Sequence, residues 1–191
     1  QTPIEGDHGD LNAIAETLWK PAFQSLHDVA KEGAVIYCTA PQGGDQMMMM
    51  MMMMQASFPV RHEFTWLKNN HVLGRADYQY KHEPILYAWK GVGHKYYGGF
   101  QTSIIEIDRP QAAKVHPTMK PVALFERLIQ NSSMGGDVVG DWFSGSGTTM
   151  IACENLGRRC RAVEISPGYV AVALERWATH TGKTPILVAD G

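Results

Sequence analysis

Asp141-Trp-Phe-Ser-Gly-Ser-Gly-Thr-Thr149 is the stretch that decides the fold. Gly136-Asp-Val-Val-Gly140 precedes it and has the apolar character of a short strand. Met150-Ile-Ala-Cys-Glu-Asn-Leu156 follows with a helix pattern, closed by Gly157 in the position of a C-terminal cap. A strand that ends in an acid, turns through glycines and opens a helix is the first crossover of a nucleotide-cofactor fold. Gly145 and Gly147 let the backbone pass close to a ligand, and the N–H groups at the helix start face it.

The loop is not a phosphate cradle of the G-x-x-x-x-G-K-[ST] kind, because no Lys follows its last Gly. Nor is it a good dinucleotide fingerprint, since Met150 stands where G-x-G-x-x-G needs its third Gly. A second acid points to a ribose. Glu164 ends the next apolar segment, Cys160-Arg-Ala-Val-Glu164, near the roughly 20-residue distance at which a carboxylate holds ribose hydroxyls. The plain alternative is an ordinary Gly-rich strand–helix turn, and the pairing of Asp141 with Glu164 weighs against it.

Asp141 to Thr149 resembles the D-P-F-x-G-S-G-T-T signature of the amino-methylating DNA methyltransferases. Upstream, His116-Pro-Thr-Met-Lys-Pro121 resembles the H-P-T-x-K-P motif of the same family. The order, with both motifs late in the chain, is that of the permuted beta group. The resemblance runs from about residue 34 to the C-terminus. It departs from the family at Trp142, where Pro is usual, and at Gly140, where a bulky aliphatic is usual. It implies an α/β, Rossmann-like methyltransferase fold with a mostly parallel sheet flanked by helices. It also implies S-adenosylmethionine as cofactor, held by His116, Thr118, Lys120, Pro121, Asp141, Phe143, Ser144, Gly145, Ser146, Gly147, Thr148 and Glu164. Lys120 would lie beside the methionyl part.

At 191 residues the chain is one domain's worth, expected as a single methyltransferase domain. A net charge of −2 excludes a global electrostatic case for nucleic acid, so any DNA contact rests on a local patch. Cys38, Cys153 and Cys160 form no C-x-x-C pair and read as reduced, buried thiols in a cytoplasmic protein. No run is long enough to span a membrane. The histidines, His82-Glu83 included, show no H-E-x-x-H spacing, so no metal site is expected.

Asp10 is a candidate N-cap for a helix with Leu11, Ile14, Ala15 and Leu18 on one face, kinked or restarted at Pro21 and continued by Phe23, Leu26, Val29 and Ala30. Ala34–Thr39 has the continuous apolar run of a buried parallel strand. The following segment reads as a helix by position only. Its eight consecutive Met, Met47 to Met54, carry no periodicity that chooses a face. Such a helix suits full burial, or the letters stand for undetermined residues, and nothing is built on these side chains.

Val60–Leu67 alternates as a half-buried strand, and Pro84–Trp89 is expected to return antiparallel to it. Between them, Lys68, Arg75, Tyr78, Tyr80, Lys81 and His82 interleave charge and rings on a loop. Such a loop suits a single-stranded or flipped base, and equally a solvated turn. The resemblance favours the first reading: 60–110 as a target-recognition insert, with double-stranded DNA carrying a flipped base as partner and a homodimer left open. Further on, Pro121 suits the first turn of a helix whose buried face is Val122, Phe125, Leu128 and Ile129. Ser166 and Pro167 open the last helix, with Val170, Ala173, Leu174 and Trp177 inward, before a final strand at Thr184–Ala189.

No Pro-Pro pair occurs in the sequence. The family's D-P-P-Y-type tetrapeptide, which holds the target amine, is therefore expected before Gln1. Ser166-Pro-Gly-Tyr169 is similar in letters only, since it caps a helix after the ribose-binding acid. The implied function is a site-specific DNA methyltransferase acting on adenine N6, with cytosine N4 as second choice. The alternative is a catalytically incomplete cofactor- or DNA-binding module.

Overall fold

A strand earns its place in the middle of a sheet by being apolar on both faces, and Pro84-Ile-Leu-Tyr-Ala88 is such a run. In the computed structural model, which describes residues 10–71, 77–109 and 119–188, it is the centre of β3 (His82–Trp89). All five of these side chains are buried. β3 pairs antiparallel with β1 (Val35–Thr39) on one edge and with β2 (Val60–Leu67) on the other. β4 (Ile104–Glu106) adds parallel to β2, giving the order β1-β3-β2-β4.

Three of the four strands thus run one way and β3 alone is reversed. The mostly parallel expectation holds in strand direction. Ala34–Thr39 was expected to have a parallel neighbour, and its hydrogen-bonded neighbour is instead the reversed β3. The return of β3 on β2 is as the alternation predicted, with a register irregularity between Val60 and His62. Within the stretch expected to carry target-recognition loops, β2 and β3 are central to this sheet.

One face of this sheet carries helices. α1 (Leu11–Ile14) passes through a π-helical stretch, Ala15–Trp19, into α2 (Lys20–Val29). Asp10 caps the start, its carboxylate accepting from the Asn12 amide at 3.4 Å. Pro21 lies in the first turn of α2. It has no N–H to give to the turn before it, and a widened π turn is one way a helix absorbs that loss. Phe23, Met54, Phe58, Ile36, Leu86 and Ala88 form the core between these helices and the sheet. Lys90 ties the layers, donating from Nζ to the carbonyls of His27 (2.7 Å) and Ala30 (2.9 Å) at the C-terminal end of α2.

α3 (Gly44–Gln55) contains the Met run. It is not buried all round: Met54 is fully buried while Met48 and Met52 are exposed. Its position between β1 and β2, not its side-chain pattern, gives it an inner face.

The chain, expected as one domain, divides into two compact units, 1–109 and 110–191. In the second, α4 (Val122–Ser132), β5 (Val138–Asp141), α5 (Thr148–Leu156), β6 (Arg159–Ala162) and α6 (Pro167–Thr181) follow one another. β5 and β6 pair parallel, Asp141 opposite Ala162. Pro121 is the N-cap of α4 rather than its first helical residue, and Leu124 joins Leu128 and Ile129 on the buried face.

On α6, Ala173 is buried as expected, but Val170 and Leu174 are more than a third exposed. Thr184–Val188 forms no strand, and Ile186, Leu187 and Val188 are exposed. A strand exists only with a ladder partner, and none is present among the described residues. Ala189, where that strand was expected to end, lies outside them. No helix among the described residues is long and apolar enough to cross a membrane.

Candidate functional site: the glycine loop and the acids around it

Asp141 ends β5, and the chain turns there because its neighbours hold it. The Val163 amide donates to the Asp141 carbonyl (2.9 Å) and the Ser144 amide to the Val163 carbonyl (3.1 Å), so the loop is laced to the residue just after β6. The Asp141 carboxylate accepts from the Phe143 amide at 3.1 Å. Gly145 (φ +51°) and Gly147 (φ +79°) then occupy left-handed backbone that a side chain disfavours. A Cβ at Gly145 would meet nothing within 4 Å, so the loop is open on that side. At Gly147 it would stand 2.8 Å from the Ala173 Cβ, so α6 packs directly against the loop's back.

Gly147 is the N-cap of α5 and supplies no side-chain cap. The first-turn amides of α5 therefore keep their partial positive charge for a ligand. Ser146, Thr148 and Thr149 are buried. Thr148 Oγ1 donates to the carbonyl of Lys120 (3.4 Å), which puts the end of the Lys120-Pro121 motif against the start of α5. Phe143 projects, exposed, from the loop.

Glu164 joins the loop to α6. One carboxylate oxygen accepts from the Gly145 amide (2.8 Å), the other from the Ser166 amide (2.9 Å). A carboxylate offers about four acceptor positions, so capacity for two ribose hydroxyls remains. The structure thus brings together Lys120, Pro121, Asp141, Phe143, Ser144, Gly145, Ser146, Gly147, Thr148 and Glu164 in one unit. His116 and Thr118 lie outside the described residues.

Sequence reasoning missed two features. A Cβ at Gly140 would lie 2.3 Å from the Trp142 ring, so the indole folds back over the one residue that leaves it room. The two departures from the family pattern are therefore one complementary pair. The other is Arg176, which donates from Nη1 to the Ser146 carbonyl and, at 2.9 Å, to Ser146 Oγ. Burial pulls its pKa down. Its signal was a cation three residues after Ala173 on the inward stripe of α6.

Cys153 and Cys160 lie together in the small core behind the loop, beside Ile129 and Ala152. The hydrogen bond between the thiols, and then burial, push Cys160 up and hold it protonated. That fits a packing, not a nucleophilic, role for Cys160.

In the first unit the loop between β2 and β3 leaves from the carboxyl ends of β1 and β2, where open α/β sheets bind ligands. Tyr78 is 89% exposed, and Tyr80 and Lys81 are exposed beside it. Tyr80 meets His82 edge-on at 5.7 Å. Lys68, a candidate DNA contact, is only 8% exposed, its Nζ 3.3 Å from Glu83 and 5.9 Å from the Trp66 ring. A cation so placed is held by its own unit. Arg75 lies outside the described residues.

A strand–acid–glycine loop–helix with a second acid after the next strand is the arrangement of a Rossmann-like cofactor fold. Comparison with known proteins agrees. Residues 92–175 match the N6/N4-type DNA methylase family. The type II methyltransferase M.HpaI of Haemophilus parainfluenzae is 48% identical over 63 residues, 33% of this chain and 20% of that protein. The type II methyltransferase M2.DpnII of Streptococcus pneumoniae is 31% identical over 144 residues, 64% of this chain and 52% of its own length. The chain thus spans about half of one curated relative and a fifth of the other. The M1.HpyAVI–SAM complex superposes with a TM-score of 0.69 at 24% identity, covering 82% of this chain and 81% of that one. The methyltransferase fold is thereby established. So, over residues 92–175, is the likeness to the amino-methylating DNA methyltransferases that the two motifs carry.

Proposed function

We propose that this chain holds S-adenosylmethionine for methyl transfer to an exocyclic amine of a DNA base, adenine N6 first and cytosine N4 second. The observation that carries the proposal is the double use of Glu164: it orders the loop through Gly145 while keeping acceptors for a ribose diol. Glu164 would orient the ribose, and Asp141 the amino-acid end. The first-turn amides of α5, with Lys120 adjoining them, would face the methionyl carboxylate. When bound, the cofactor supplies a methyl group on a sulfonium. What the residues here contribute is position, which is the larger part of an in-line transfer.

The base would be reached by flipping, with Tyr78, Tyr80, Lys81 and His82 near it and Lys68 left out of the contact. Lys81→Ala is expected to weaken DNA binding several-fold and to lower the slope of log affinity against log salt by about 1. Lys68→Ala is expected to leave that slope unchanged while lowering the melting temperature, because it removes the half-buried ion pair with Glu83. Fluorescence anisotropy across a salt series checks both, and equal slopes for Lys81→Ala and wild type would remove the loop from the interface.

The incomplete-module reading rests on the absence of a Pro-Pro pair from these 191 residues. Methylation of a duplex by this chain alone decides between the two.

A further inference from the structure

We infer that Arg176 is a positioning residue for the cofactor loop, acting through Ser146 from behind; the inference rests on the cofactor reading above. Besides the hydrogen bond from the Ser144 amide to Val163, three contacts join α6 and its approach to the loop. Glu164 holds the Gly145 amide, Ala173 stands against Gly147, and the Arg176 guanidinium holds Ser146 by its carbonyl and hydroxyl. The first contact faces the ligand, and the second only limits the approach of the two backbones. Arg176 is the side chain that grips Ser146, between the two left-handed glycines; the peptide that follows is also tied within the loop, its Gly147 amide donating to the Ser144 carbonyl (2.9 Å). The two donor contacts of Arg176 set the rotation of the Ser146 carbonyl. Together with the bond from the Gly147 amide to the Ser144 carbonyl, that sets where the start of α5 points.

The environment supports a dedicated role. Ser146 is buried, so an unpaired hydroxyl or carbonyl there is costly. The guanidinium carries its charge in a partly desolvated place, lining an open groove of about 680 Å³ with Val122, Ile151, Glu175 and His180. Desolvating a cation is unfavourable unless its hydrogen bonds offset it, and here one guanidinium nitrogen, Nη1, reaches both Ser146 oxygens.

The test compares full-chain wild type, Arg176→Lys and Arg176→Met by calorimetric titration with S-adenosylmethionine, with melting curves and amide hydrogen exchange of residues 144–148. Wild type is expected to bind. Arg176→Met is expected to bind about tenfold more weakly, with faster exchange at Gly145 to Thr148 at a temperature where the variant is folded. Arg176→Lys is expected to recover part of the affinity. Wild-type affinity in both variants overturns the inference, as does a lower melting temperature with unchanged affinity, which marks a merely structural arginine. Should Arg176→Met fail to fold, Arg176→Lys alone decides by the same affinity and exchange readings. Absence of binding by wild type is a different failure: it removes the cofactor reading itself.

Discussion

Glu164→Ala is expected to weaken S-adenosylmethionine binding by about two orders of magnitude. A hydrogen bond to a charged group contributes about 1.5–3 kcal/mol, and this carboxylate makes two of them to backbone amides, at Gly145 and Ser166. Its removal leaves the Gly145 amide without its acceptor and deletes the proposed ribose contact at the same moment. Glu164→Gln separates the two effects. Its amide oxygen can accept from one backbone N–H, so the loop keeps part of its order while charge-assisted binding of the diol is lost. Affinity is therefore expected to fall in the order wild type, Gln, Ala. Titration calorimetry reads the affinities, and melting curves show that each variant is folded. A Glu164→Ala protein with wild-type affinity would remove the second acid from the site.

Gly140→Val is expected to destabilise the second unit by about 1–3 kcal/mol, the ordinary cost of overpacking. The added Cβ would stand 2.3 Å from one Trp142 ring carbon and 3.2 Å from another, so the indole must leave its place. That displacement occurs at the first residue after Asp141, and cofactor affinity should fall with stability. Adding Trp142→Ala removes the clash. The double variant is then expected to be more stable than Gly140→Val alone, with a coupling of about 0.5–3 kcal/mol, the range for residues in contact. Denaturation of the four proteins of the cycle measures it. Additive effects would show that the two departures from the family pattern are independent.

How much could be read beforehand follows from how local each cause is. Gly145, Gly147 and Gly157 adopt positive φ, and Ser166 with Pro167 opens α6, because backbone conformation and capping depend on a few adjacent residues. The strand at 136–141 and its acid were legible for the same reason, and Glu164 was found by its distance along the chain. The insertion of β3 between β1 and β2 was not legible, since strand order is a non-local choice among equally apolar partners. Lys68 looked like an exposed loop cation until Glu83 and Trp66 closed around it. Val170 and Leu174 share the spacing of Ala173 but not its neighbour: only Ala173 meets a glycine backbone close enough to be covered. Thr184–Val188 has strand composition and no partner strand among the described residues. Arg176 stayed hidden because a cation on an apolar stripe becomes meaningful only once its acceptor, here Ser146, is known.

Titration of the full chain with S-adenosylmethionine, wild type beside Asp141→Ala, tests the central claim most directly. The expected result is saturable one-site binding by wild type and an affinity lower by about tenfold or more in Asp141→Ala, in line with the loss of one charged acceptor. No saturable binding by wild type, or equal affinity in the two proteins, would contradict the account.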